Sequence, residues 1–148
     1  MHVTLANLTS RPIVALLAYA AWAMLLVLGI LSLRGLMILG KQRRINEFPS
    51  GQEHGGGFYW RLNRAHANTL ENLPIFAAIV LGGAALGVSS PRLAQLAEIA
   101  VLARVLQSLF HVSSPSSLAV TLRFSAFGVQ LGCFAWMIVE TLRLAAGA

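Results

Sequence analysis

The chain has 148 residues, of which 57% are hydrophobic and only 11% are charged, and its mean hydropathy is +0.71. Soluble domains are typically about 45–50% apolar and about 25% charged. One domain of this size cannot bury so much apolar surface and cover the remainder with so few charges, so the composition excludes a soluble protein. It also excludes a disordered chain, which has the opposite composition. Lipid is the expected solvent for most of the residues.

The net charge is +6, from 11 basic and 5 acidic residues, and the isoelectric point is about 11.1. In a soluble chain these values would suggest nucleic-acid binding. Here the basic residues lie between and inside apolar runs, which favours roles in membrane topology and anion binding, with no nucleic-acid partner. The single cysteine, Cys133, has no neighbouring Cys or His with which to share a metal, so no metal site is predicted.

Four segments are predicted to be membrane-spanning helices, at residues 12–40, 58–86, 91–112 and 117–145. The first is too long for the apolar core of a cleavable signal peptide. The second has a polar first half, which is expected to project from the membrane. Strand-like alternation is absent, and lipid does not admit open sheets. The predicted fold is an all-α integral membrane protein, a single domain (1–148) built as a four-helix transmembrane bundle.

Short connections between the segments favour an up-down topology with antiparallel neighbours. Only the first loop, residues 41–57, is long, and it carries Lys41, Arg43 and Arg44. Cytoplasmic loops are enriched in Lys and Arg. We therefore predict that this loop is cytoplasmic and that both termini lie outside.

Three predicted helices each carry one largely polar stripe, whose residues share a face at about 100° per residue. These stripes contain Arg61, Arg64, Asn68 and Glu71, then Arg104, Gln107 and His111, then Arg123, Phe127 and Gln130. In lipid they must face protein or a watered cavity, and the topology brings them to one side of the membrane together with Arg43. Anchoring at the headgroups would explain the outermost arginines but not the deeper polar positions. Because Glu71 is the only acid among them, we predict an anionic ligand with carboxylates, which guanidinium groups bind in a bidentate manner.

The stretch Arg61–Phe76, RLNRAHANTLENLPIF, resembles the signature of the MAPEG family, the membrane-associated proteins in eicosanoid and glutathione metabolism. The matching positions are Arg64, His66, Asn68, Glu71, Pro74 and Phe76, and the segments Arg104–Gln107 and Gly40–Arg43 are similar to further family segments. Within the family, the chain resembles the microsomal glutathione transferases and their bacterial-type members. This resemblance implies a homotrimer in a bacterial inner membrane. It also implies that glutathione binds between neighbouring subunits near the cytoplasmic face.

Residue roles follow from the resemblance. Arg43, Arg64, Asn68, Glu71 and Arg104 are the implied glutathione contacts, to which Gln107 and His111 are added because they share a face with Arg104. Glutathione has two carboxylates, which suit arginines, and one ammonium, which suits Glu71. Arg123 is the implied catalytic residue, since nearby positive charge favours the reactive thiolate. The thiolate would attack a lipophilic electrophile or hydroperoxide, giving glutathione transferase or peroxidase activity.

Two other functions stay open. Active relatives often have tyrosines near the thiol, and the corresponding positions here hold His111 and Phe127. A binding or scaffold protein of this family without turnover is therefore the first alternative. A small four-helix transporter is the second, but such transporters need a membrane-embedded acid and the first predicted span has none.

Overall fold

The computed structural model of the protein describes residues 5–49, 51–54 and 56–147, and the other positions of the predicted 1–148 domain lie outside the described residues. Four helices follow one another, α1 (Leu5–Leu39), α2 (Gly57–Ala85), α3 (Pro91–Ser113) and α4 (Ser117–Ala146). No strand occurs in these ranges, so the predicted all-α class is confirmed. The bounds match the predicted ones to within one residue, except that α1 begins at Leu5 and runs through Pro12. Proline removes one intrahelical hydrogen bond there without ending the helix, because its fixed φ is close to the helical value.

The two short connections are built from helix caps. The side chain of Ser90 accepts a hydrogen bond from the backbone N–H of Leu93, and proline fills the first position of α3. Ser116 caps α4 in the same way, accepting from the N–H of Ala119. Each cap satisfies one of the backbone donors that a helix start leaves free. The chain can therefore reverse within a few residues, which sets α3 antiparallel to both of its sequence neighbours.

Three of the helical segments are long and apolar enough to cross a membrane: Ser10–Leu39, Pro91–Ser113 and Ser117–Ala146. α2 is long enough, but charged residues occupy its first half, as the sequence predicts. Large apolar side chains remain outward-facing on the spanning helices, with Leu17 63%, Leu102 58% and Leu142 62% exposed. Large leucine side chains exposed on each of the spanning helices are compatible with lipid but not with water, so the protein is an integral membrane protein.

α3 is the helix around which the bundle is packed. Ala94, Ala97, Ala100 and Ala103 form a stripe along it, each no more than 5% exposed. Small side chains let neighbouring backbones approach closely in a membrane bundle. α3 accordingly packs against each of the other helices.

The up-down topology gives the bundle two chemically different ends. At one end, called the arginine end below, α1 and α3 finish and α2 and α4 begin. There the Nε of Arg61 donates a hydrogen bond to the carbonyl of Val112, 2.9 Å away, which ties the start of α2 to the end of α3. At the opposite end, Arg11 of α1 and Glu98 of α3 form an ion pair of 2.8 Å.

The first loop is held against the arginine end by Phe48. This ring packs on the apolar cluster that includes Tyr59 and Leu62. The Arg34 guanidinium lies over the Phe48 ring, 5.1 Å from its centroid, and the Arg34 Nε donates to the Tyr59 hydroxyl at 2.5 Å. One aromatic side chain thus joins the loop to both α1 and α2.

We predict that Phe48→Ala frees this loop. Losing a partly buried ring weakens the loop's attachment by about 1 kcal/mol, below the roughly 1.5–3 kcal/mol of a fully buried one. Trypsin should then cut after Lys41, Arg43 or Arg44 about fivefold faster than in the parent protein, since cleavage follows local opening. Ile45→Ala, at a position 82% exposed, is the matched control and should change nothing. Equal cleavage of Phe48→Ala and the parent would show that the ring does not hold the loop.

Candidate functional site

An open hollow of about 280 Å³ lies at the arginine end, framed by α2, α3 and α4. Its size is near the lower end of small-molecule sites, which are typically about 300–1,000 Å³. We call it the arginine hollow, and its lining consists of Arg64, Asn68, Gln107, His111, Val120, Arg123, Phe124 and Phe127. Cationic and amide side chains occupy the α2 and α3 walls, while α4 contributes Arg123 and apolar residues.

Five of the predicted site residues meet in this hollow. Arg64 and Asn68 come from α2, Gln107 and His111 from α3, and Arg123 from α4. Each pair within a helix is four residues apart, which places both side chains on one helical face. The antiparallel order of the helices then sets the three faces opposite one another.

Arg104, a sixth predicted residue, lies behind the wall of the hollow. It is only 1% exposed, and its Nη1 donates a hydrogen bond to the Oε1 of Gln107. Its guanidinium carbon lies 5.9 Å from the Tyr19 ring centroid and 5.8 Å from that of Phe127. No hydrogen-bond partner is found for its Nε or Nη2 among the described residues. The two aromatic faces offset part of the cost of burying this charge. Within the part of the chain that the structure describes, no carboxylate forms an ion pair with it.

The remaining two predicted residues do not line the hollow. Arg43 lies in the turn after α1, where its Nη1 donates to the backbone carbonyl of Glu47 at 3.1 Å. Glu71 is exposed on α2, one turn beyond Asn68, yet remains within electrostatic reach of Arg104. A single chain therefore does not collect the whole predicted set around one cavity.

Carboxylates neutralise arginines at the opposite end of the bundle and not at the arginine end. Ion pairs join Arg11 to Glu98 at 2.8 Å and Arg92 to Glu140 at 3.9 Å. Across the described ranges, no acidic side chain lies within ion-pair distance of the arginines of the hollow. The positive charge of the hollow is thus uncompensated within one chain, and an anionic ligand would stabilise it.

Arg123 is engaged with His111 on the facing helix. The Arg123 Nη1 lies 3.1 Å from the His111 Nδ1. A guanidinium group only donates hydrogen bonds, so the imidazole nitrogen accepts. Arg64 and Arg61 also act electrostatically on this ring, so positive charge surrounds His111 from both α2 and α4.

Tyr19, which is not among the predicted site residues, packs behind the hollow beside Arg104. It is fully buried, its hydroxyl donates to the carbonyl of Thr69 at 3.3 Å, and it accepts from the Gln130 Nε2 at 3.4 Å. Its ring is one of the two faces against Arg104. The sequence signal that could have indicated Tyr19 is a single tyrosine inside an otherwise apolar span. A buried hydroxyl needs a hydrogen-bond partner, so such a tyrosine is expected to face polar groups of other helices.

The fold and the hollow together define an all-α membrane protein with an uncompensated cationic site. The model of the MAPEG family matches residues 11–143, which is most of the chain, and the protein belongs to that family. Members of the family act in eicosanoid and glutathione metabolism and generally use glutathione as substrate or cofactor. No curated protein matches the chain, and no solved structure matches it.

The burial of Arg104 leads to a prediction about stability. Replacing a buried ion pair by apolar side chains is often neutral or stabilising by about 1–4 kcal/mol, and a buried charge without an ion-pair partner has less to offset its desolvation. We therefore expect Arg104→Met to keep or raise the thermal unfolding midpoint in detergent. Arg61→Met is the matched control: it removes a guanidinium that has a carbonyl partner and should lower the midpoint. A larger loss for Arg104→Met than for Arg61→Met would mean that Arg104 is a structural cation.

Proposed function

We propose that the protein is a membrane enzyme that binds glutathione and activates its thiol for attack on a lipophilic electrophile or hydroperoxide. One observation carries the proposal: Arg64, His111 and Arg123, from three helices, surround one open hollow, and no carboxylate of the described residues lies within ion-pair distance of them. Glutathione is the ligand that members of this family generally use. Its two carboxylates supply the negative charge that the hollow lacks.

The tripeptide also has groups that suit the other side chains of the site. Arg64 offers a planar fork for one carboxylate, and the amides of Asn68 and Gln107 suit the peptide bonds. Arg104 adds positive charge behind the hollow, where it donates a hydrogen bond to the lining residue Gln107. The ammonium group is the natural partner for the exposed carboxylate of Glu71.

We infer further that the site is completed by a neighbouring subunit of a homotrimer. Two features support this. The hollow is open, with Arg64 exposed at its rim, and Arg43 and Glu71 lie outside it in one chain. A cavity between subunits would let these two residues contact the same tripeptide and would exclude water from it.

The proposed chemistry is thiolate activation by Arg123. The thiol loses its proton to water, and the guanidinium stabilises the sulfur anion that remains. The thiolate then forms a bond to the electrophilic carbon while the leaving group departs with the electron pair. Val120, Phe124 and Phe127 give the α4 wall an apolar surface, and Phe124 is 75% exposed, so a lipophilic substrate could enter from the bilayer.

The orientation of the protein is part of the proposal. Lys41, Arg43 and Arg44 lie in or next to the turn after α1, at the arginine end. The positive-inside rule assigns such a loop to the cytoplasm, the compartment in which a soluble tripeptide thiol is available. The hollow would then open toward the inner headgroups.

Arg123→Ala should reduce conjugation of glutathione to a chromogenic electrophile at least about tenfold in kcat/KM, because losing one stabiliser of a developing anion typically has an effect of that size or larger. Arg143→Ala removes an exposed arginine from the last turn of the same helix and is the control, with an expected rate equal to the parent. Equal rates for parent and Arg123→Ala would remove Arg123 from the mechanism.

A binding or scaffold protein without turnover is the second candidate. It is favoured by one observation: neither tyrosine lines the hollow, since Tyr19 is buried behind it and Tyr59 bonds to Arg34 near the first loop. Glutathione binding in equilibrium dialysis, without conjugation or peroxide reduction, would decide for this candidate.

A further inference from the structure

His111 is the one imidazole in the lining of the arginine hollow. It lies in the last turn of α3, half-buried, two helical turns beyond Arg104. Its ring has two nitrogen atoms, Nδ1 and Nε2, and the structure gives a hydrogen-bond partner for Nδ1. The Nδ1 accepts a hydrogen bond from Arg123, which lies 3.1 Å away on α4.

This hydrogen bond fixes the chemical state of the ring. An imidazole nitrogen that accepts has no proton, and a doubly protonated ring has no acceptor at all. His111 in this geometry is therefore neutral and bears its proton on Nε2. A positive ring would also add another cation beside Arg61, Arg64 and Arg123, all of which act on it electrostatically.

We propose that the Nε2–H of His111 donates a hydrogen bond to the sulfur of the bound thiol. The inference rests on the proposed glutathione function and adds a second group at the reacting atom. Arg123 would then have two effects, supplying positive charge and orienting the imidazole so that its N–H points into the hollow. His111 is a donor in this arrangement and not a base, because its accepting nitrogen is occupied. The thiol proton leaves to water, and the ring keeps its own proton throughout.

The direct readout is the thiol pKa of bound glutathione, followed through the ultraviolet absorbance of the thiolate as pH is changed. A hydrogen bond to the charged sulfur lowers the thiol pKa, so removing this bond should raise the pKa by about one unit. At a pH below the pKa, the fraction of thiolate should then fall about tenfold. His111→Phe keeps a ring and removes the N–H, and we expect it to show this rise. His111→Leu repeats the test with a side chain of different shape, in case the phenyl ring impairs folding.

His111→Gln separates the donor role from a base role. Its amide keeps an N–H and an accepting oxygen but cannot take up a proton at neutral pH. The proposal predicts that glutamine retains a thiol pKa closer to that of the parent than to that of His111→Phe. A thiol pKa in His111→Gln as high as that in His111→Phe would overturn the proposal.

A double substitution tests the part played by Arg123. If Arg123 orients the ring, His111→Phe should have little further effect on the thiol pKa in an Arg123→Ala background. Additive effects would contradict the orienting contact. Failure of the parent protein to bind glutathione would overturn the proposed function and this inference together. Binding with an unchanged thiol pKa in His111→Phe and His111→Leu would overturn only the role of His111.

Discussion

Uncompensated guanidinium charge in a low-dielectric environment is the constraint on which the rest of this structure depends. The acids of the opposite end neutralise Arg11 and Arg92 within the chain. At the arginine end, hydrogen bonds to a carbonyl, an amide and an imidazole replace carboxylates, through Arg61, Arg104 and Arg123 respectively. Such neutral partners hold a cation in place without cancelling its charge. The bundle therefore keeps a positive potential where an anion can reach it, which is what the proposed stabilisation of a thiolate requires.

The fold serves this arrangement through ordinary membrane packing. Alanines along α3 allow close contact with the other helices, and capped turns at Ser90 and Ser116 return the chain sharply. The side chains of the hollow are consequently carried on helices and not on loops, which restricts their movement. Arg104 is the residue at which a cost in stability is expected, since two of its three guanidinium nitrogens, Nε and Nη2, are buried without hydrogen-bond partners among the described residues.

Most of the fold could be predicted from the sequence because lipid limits the choice to helices, and apolar run length then sets their bounds. The start of α1 could not be predicted, because Pro12 is compatible with both the first turn and the interior of a helix. Helical periodicity also indicated which side chains share a face, including Gln107 with His111. Periodicity does not indicate how deeply a side chain is buried in the bundle, so it could not show that Arg104 lies behind the wall of the hollow. Nor could it find Tyr19, whose partners come from other helices. Arg43 and Glu71 lie outside the hollow of one chain, where spacing along a single sequence cannot assign their partners.

The measurement that tests the central claim most directly is a comparison of two ligands on the parent protein in detergent: glutathione and its diester, in which both carboxylates are blocked. A hydrogen bond to a charged group is typically worth about 1.5–3 kcal/mol, so losing two such carboxylate contacts should weaken binding at least about 100-fold. Glutathione binding with a diester affinity lower by that factor is the predicted result. Equal affinities for the two compounds, or no binding of glutathione, would contradict the account.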